Sequence, residues 1–148
     1  MGFRNSLLKR GIISSDTEVL INALACIRQG TPPAMTTAAT ISVESMLSGI
    51  ITGTHAVGAT QAYTLPLGAD MDDGLTSYMV NDASFDITII NLSPADADTI
   101  TLTANTGFTI VGQPIVDANE WEVAWYPNYG TFRCRKVDTD TFVAYRIA

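Results

Sequence analysis

A chain of 148 residues, 47 % apolar and 16 % charged, suits one domain with a real core but carries well under the roughly 25 % charge of an average globular domain. Its surface must therefore be largely Thr, Ser, Ala and Asn, which lose little when covered, and this points to an oligomer or a component of an assembly. The net charge of −7 argues against nucleic acid as a partner: residues 37–148 hold four basic and thirteen acidic side chains, whereas residues 1–36 carry Arg4, Lys9, Arg10 and Arg28 against Asp16 and Glu18.

In residues 1–13 the cations Arg4, Lys9 and Arg10 interrupt the apolar positions, so no secretory signal is expected. The stretch Val19 to Ile27 falls far short of the ~20 apolar residues of a membrane span. Met1-Gly2-Phe3-Arg4-Asn5-Ser6 fits a myristoylation pattern too short to carry weight, and Asn91-Leu92-Ser93 is a glycosylation sequon only in a secreted chain. Cys26 and Cys134, without a CxxC or a pair of histidines, are expected to be small core residues in a reducing cell. No metal site and no cofactor are expected.

Ser15-Asp16-Thr17-Glu18 is a capping box that opens a helix with Leu20, Leu24 and Ile27 on one stripe, closed by Gly30 and Pro32-Pro33. Ahead of it Phe3, Leu7, Leu8, Ile12 and Ile13 interleave with Arg4, Lys9 and Arg10. Gly30 to Thr37 resembles a linker, so residues 1–36 read as a basic, apolar arm with one helix and residues 37–148 as a β body. Ser42 to Ser48 has the makings of a short helix ended by Gly49, with Ile41 and Val43 as an alternative strand start. His55 stands alone in a Gly/Thr/Ala-rich stretch and is expected to be a solvent-exposed loop residue. Tyr63, Leu65 and Leu67 alternate as a strand that Pro66 ends or confines to an edge. Asp70-Met71-Asp72-Asp73-Gly74 lacks the later bidentate Glu of a calcium loop and reads as a solvated acidic turn.

Residues 84–112 alternate most clearly. Phe85, Ile87 and Ile89 share one face, Ile100 and Leu102 another, and Phe108 and Ile110 follow a turn at Asn105-Thr106-Gly107. With Leu92 to Asp98 as a connecting loop, these runs suggest an antiparallel meander. Trp121, Val123 and Trp125 share a face, and Pro127-Asn128-Tyr129-Gly130 is a turn signal. Thr131 to Val137 and Thr141 to Ile147 suggest a terminal hairpin with Phe132, Cys134, Val143, Tyr145 and Ile147 inward. Arg133, Arg135 and Arg146 are expected outside, facing acidic residues of a neighbouring subunit. The expected fold is mainly β: an antiparallel β-sandwich or small β-barrel with an N-terminal helical arm.

Five segments, MLSGIITGT, YTLP, SFDITIIN, TITLTANTGFTIVG and the closing YRI, occur here in an order that resembles small virion proteins of tailed bacteriophages, the capsid decoration (cement) and head-fibre proteins. The resemblance spans roughly Thr40 to Ala148. It implies a homotrimer on the outer surface of the capsid, made in the host cytoplasm and bound to the major capsid protein, with another decoration or fibre protein as a further possible partner. Charge and position single out Phe3, Arg4, Leu7, Leu8, Lys9, Arg10, Ile12 and Ile13 as the capsid contacts.

Two rival functions are weighed. Trp125, Tyr126 and Tyr129 beside Pro127 would make a stacking platform for a carbohydrate-binding module, such as a head fibre or tail adhesin, although burial accounts for Trp121 and Trp125 more simply. Glu120 with Glu122, or Asp70 with Asp73, offers the carboxylate pair of a hydrolase, but no nucleophile or supporting residue accompanies either, and no enzymatic activity is expected.

Overall fold

Alternation decides which side chains of a strand face the core, but not which strand lies beside it. The computed structural model describes residues 29–56, 58, 60–75, 79–95, 97–118 and 127–148. The chain divides into Met1–Gly30 and Thr31–Ala148, and all the described helices and strands belong to the second unit. In order they are β1 (Ala34–Met35), β2 (Ala39–Thr40), α1 (Val43–Leu47), β3 (Ile50–Gly53), β4 (Thr60–Thr64), α2 (Gly68–Gly74), β5 (Ser84–Asn91), β6 (Thr99–Thr103), β7 (Phe108–Val111), β8 (Ile115–Asp117), β9 (Tyr129–Asp138) and β10 (Thr141–Arg146). The expected linker thus holds β1. The expected N-terminal helix and the strand around Trp121 and Trp125 lie outside the described residues.

The body is mainly β and sandwich-like. One sheet has the order β1-β3-β5-β9-β10-β7 and the other β2-β4-β6-β8. From β1 to β9 successive described strands therefore alternate between the sheets, and among the described strands only β9 and β10 are consecutive in one sheet. The pairing is mixed rather than antiparallel: β1/β3, β3/β5, β2/β4, β4/β6 and β7/β10 are parallel, while β5/β9, β9/β10 and β6/β8 are antiparallel. The meander expected over residues 84–112 does not form. Its faces are as read, with Ile87, Ile89, Ile100 and Leu102 buried, but its connections cross from one sheet to the other. Parallel neighbours need a crossover. Here a strand of the opposite sheet supplies it.

The core lies between the sheets. Ile51, Ile87, Ile89, Phe132 and Phe142 come from one, Tyr63, Ile100, Leu102 and Val116 from the other, and Met46 and Met71 from the two helices. Ser42 caps α1 by accepting from the Ser45 N–H at 3.1 Å, as its sequence suggests. The acidic run is a helix rather than a solvated turn: Met71 of α2 is buried, and the helix begins where its backbone packs on the β9–β10 turn. A Cβ on Gly68 would sit 2.0 Å from the Asp140 carbonyl oxygen and 2.9 Å from the Gly107 Cα, so no side chain fits there. Gly107, at φ +87°, combines that close approach with a left-handed backbone.

The terminal hairpin forms, with a shift that changes its faces. Thr141 stands opposite Asp138, but a register irregularity between Thr141 and Phe142 places Phe142 opposite Lys136, Ala144 opposite Cys134 and Arg146 opposite Phe132. Had the first register continued, Tyr145 would face Cys134 and Ile147 would face Phe132, which is the expected arrangement. A one-residue slip exchanges the faces of a strand. Phe142 and Ala144 are buried instead, and Ile147 is 48 % exposed. The turn signal at Pro127 ends by Asn128, since Tyr129 and Gly130 already belong to β9.

Candidate functional site

The residues expected to touch a capsid, Phe3, Arg4, Leu7, Leu8, Lys9, Arg10, Ile12 and Ile13, lie outside the described residues. So do Trp125 and Tyr126 of the expected aromatic platform and the Glu120/Glu122 pair. Tyr129 is described: it opens β9 on the outer face of the six-stranded sheet, opposite Ile90, and is 41 % exposed. Asp70 and Asp73 sit on α2 as exposed residues, and the acid between them, Asp72, is the one engaged. Among the described residues no cluster of three or more His, Cys, Asp or Glu is placed to hold a metal.

His55 is 4 % exposed, not a surface loop residue. The Tyr63 hydroxyl donates to the Met35 carbonyl at 3.1 Å and lies 2.9 Å from His55 Nε2. Since the phenol has one hydrogen, His55 Nε2–H donates to it, and Nδ1 is buried without a hydrogen-bond partner. Burial pushes the Tyr63 phenol up to about 12. The imidazole and phenol meet edge to face at 5.5 Å, and the trio ties β1, the β3–β4 connection and β4 together. This is a structural use of histidine.

Asn91 is fully buried at the end of β5. Its amide donates to the Asp98 and Val116 carbonyls, both at 3.1 Å, while its side-chain oxygen accepts from the Ser93 N–H at 3.1 Å. Its own backbone exchanges bonds with Asn128. The asparagine of the apparent sequon is therefore inaccessible to glycosylation and acts as a bolt between the sheets.

The body's cations all sit on β9 and β10, as Arg133, Arg135, Lys136 and Arg146. Arg133 grips Asp86 with two bonds, Nε to Oδ1 at 2.8 Å and Nη2 to Oδ2 at 2.9 Å; the hydrogen bond holds the Asp86 carboxyl below its usual range and raises the guanidinium. Arg135 pairs with Asp82 at 3.0 Å. Both arginines are outside, as expected, but their partners belong to the same chain. Lys136 continues the buried face of β9 beyond Phe132 and Cys134 and meets Asp72 of α2 in an ion pair whose side chains are only 14 % and 15 % exposed. The bond from Lys136, then that from the Asp140 N–H, lowers the Asp72 carboxyl. Arg146 is not on the outer face: it stacks over the Phe132 ring at 5.1 Å and donates to the carbonyls of Ile115 at 3.0 Å and Tyr129 at 3.2 Å. Burial lowers its guanidinium. The Cys134 thiol is pushed up to about 12, by burial first and by Asp86 second, so it is a packing residue rather than a nucleophile.

What remains on the surface is broad and weakly charged. The outer face of the four-stranded sheet carries Thr40, Thr60, Thr64, Thr99, Thr101 and Thr103, with Asp117 at its edge. Its hydroxyls pair across strands, Thr60 with Thr99 at 3.1 Å and Thr64 with Thr103 at 2.9 Å. Two shallow depressions of 390 and 320 Å³ flank Thr40–Ser42, the larger lined by Ile41, Val43, Pro66 and Leu67 with Asp70 and Asn105, and neither gathers a catalytic set. Comparison of the chain with protein-family models, curated proteins and solved structures finds no match.

Sequence reasoning missed Asn91 and the Asp72–Lys136 pair. Lys136 had a signal: it continues the even-numbered positions of Phe132 and Cys134, so alternation alone puts an ammonium on the core side and calls for a buried carboxylate. Asn91 had a weaker one, as a polar residue on the phase of Ile87 and Ile89.

Proposed function

We propose that the chain is a structural virion protein that decorates and stabilises a phage capsid, its β body self-associating as a trimer on the outer surface and its basic arm binding the major capsid protein. One observation carries the reading. The reactive side chains of the described body, His55, Cys134, Lys136 and Arg146, are committed to packing or to bonds within the chain, whereas the surface offers wide sheet faces of low charge. Such faces suit a protein whose work is contact repeated by symmetry, where many weak contacts sum to tight attachment. The five segments that carry the resemblance also fall on the strands and helix that build one body, which supports extending the likeness over its whole length.

The test is co-sedimentation with emptied heads of the phage that encodes the chain. The truncation belongs before Thr31, because β1 is part of the six-stranded sheet. Full-length protein is expected to pellet with heads, and protein lacking residues 1–30, or carrying Arg4, Lys9 and Arg10 changed to Glu, to stay in the supernatant. Full-length protein that ignores heads refutes the reading.

A further inference from the structure

We propose that copies of this chain meet through the outer face of the six-stranded sheet, in the apolar area formed by Ile90, Leu92, Tyr129, Tyr145, Ile147 and Val111. The inference rests on the reading of the chain as an oligomeric virion protein and names its self-contact surface.

The area is built by the shift in the hairpin. The irregularity between Thr141 and Phe142 turns Val143, Tyr145 and Ile147 away from the core, although their alternation matches that of an inward set. Three bulky apolar residues on the solvent side of a central strand are unfavourable for a lone molecule. Their neighbours match them. Ile90 stands opposite Tyr129, Tyr145 opposite Val111, and the Ile147 N–H bonds the Thr131 carbonyl at 2.9 Å, so the apolar residues run diagonally over β5, β9, β10 and β7, roughly 14 Å across at the usual strand spacing, with Thr131 and Arg133 bordering them on β9. Leu92 at 51 %, Val111 at 47 %, Tyr129 at 41 % and Ile147 at 48 % exposure are four of the largest exposed apolar side chains described. Together they present roughly 300–400 Å² per copy, the size of a functional patch and enough for the centre of an interface that buries about 800 Å² per partner.

Charge identifies the occupant as a second copy. Residues 37–148 carry thirteen acids against four bases, so two bodies repel one another in most orientations. Arg133 and Arg135 lie on this face, each already neutralised by Asp86 or Asp82. This face combines local neutrality with bulky apolar side chains. The exposed Arg133–Asp86 pair, with side chains 52 % and 41 % accessible, can also exchange partners across a symmetric contact. The Thr-bearing face of the other sheet has hydroxyls paired among themselves and less apolar area to bury.

The experiment measures the mass of the full-length chain in solution by light scattering over a range of concentrations. Wild type is expected to be a defined oligomer, and Ile147→Glu or Tyr129→Glu to fall to the 15.8 kDa of one chain. Thr101→Glu, on the other sheet, should leave the mass unchanged. Near-ultraviolet circular dichroism establishes that each variant is folded, and Ile147→Ser, which alters only an outward side chain, serves where Glu does not fold. A monomeric wild type overturns the proposal. So does dissociation by Thr101→Glu with Ile147→Glu still assembled. An oligomer that Ile147→Glu breaks but that never pellets with heads upholds this surface while refuting the capsid role; a monomer that pellets does the reverse.

Discussion

Asn91 on β5 and Val116 on β8 are joined across the sandwich by a 3.1 Å hydrogen bond from the side-chain amide to the backbone carbonyl, linking two strands that belong to different sheets. The same amide reaches Asp98. Asn91→Ala removes three buried hydrogen bonds, leaving the Asp98 carbonyl with only the Ala118 N–H and the Ser93 N–H without its side-chain acceptor, and is expected to lose roughly 2–4 kcal/mol, measured as a lower midpoint in urea unfolding. Asn91→Asp, which aims negative charge at two carbonyl oxygens, should lose more.

Breaking the Asp72–Lys136 pair should cost more than removing it. Asp72→Ala leaves an ammonium on the buried face of β9 and is expected to destabilise by about 2–4 kcal/mol. The double change Asp72→Leu with Lys136→Met should recover most of that. A double-mutant cycle by denaturant titration reads the coupling; equal losses in the double and single variants would show that the charges were solvated after all.

Acid should unfold the body through its paired carboxylates. Asp72 and Asp86 are lowered in the folded state, each chiefly by the hydrogen bond to its cation, so their contribution is complete above the unfolded carboxylate value of about 4 and is lost as pH falls through their lower folded values. Stability measured from pH 6 to pH 2 should drop below about pH 4. Asp72→Asn should flatten that limb while lowering the plateau.

Alkali acts through Cys134 and Tyr63. Both are raised to about 12, so the folded state keeps protons that the unfolded chain releases near 8.5 and 10, and stability should decline as pH rises through those values. Cys134→Ala should remove the part that begins near pH 8.5. In a Cys26→Ser background the remaining thiol should resist iodoacetamide in buffer and react at once in denaturant.

Side-chain direction was legible in the sequence, and strand partnership was not. Phe85, Ile87 and Ile89 gave the face of β5, and Ser42 with Gly49 gave both ends of α1. Nothing in the loops Leu92 to Asp98 or Asn105 to Gly107 distinguishes a hairpin from a crossing to the opposite sheet, because turn residues satisfy the same local backbone needs in either case. The Asn105–Gly107 turn is bound instead by groups from far along the chain: Asn105 Nδ2 donates to the Leu65 carbonyl at 3.1 Å, and the Phe142 N–H donates to that of Gly107 at 2.8 Å. The faces of β10 were misread for a local reason, since a bulge leaves no mark on alternation. His55 was placed in solvent because Tyr63, which its imidazole bonds, lies on the next strand, Ser93, whose hydroxyl accepts its N–H, lies far along the chain, and its burial depends on tertiary packing. As for the candidate surface, the low charge and the threonines were visible at once; the apolar area needed the register.

Because strands from β1 to β9 alternate between layers, neither sheet is written in a continuous piece of chain. On the ribosome, β1, β3 and β5 can lie side by side, but β7 has no neighbour in its own layer until β10 emerges, and β5 keeps a bare edge until β9 does. The β9–β10 hairpin thus closes the six-stranded sheet, and a chain that lacks it leaves β5 with an open edge and β7 with no partner.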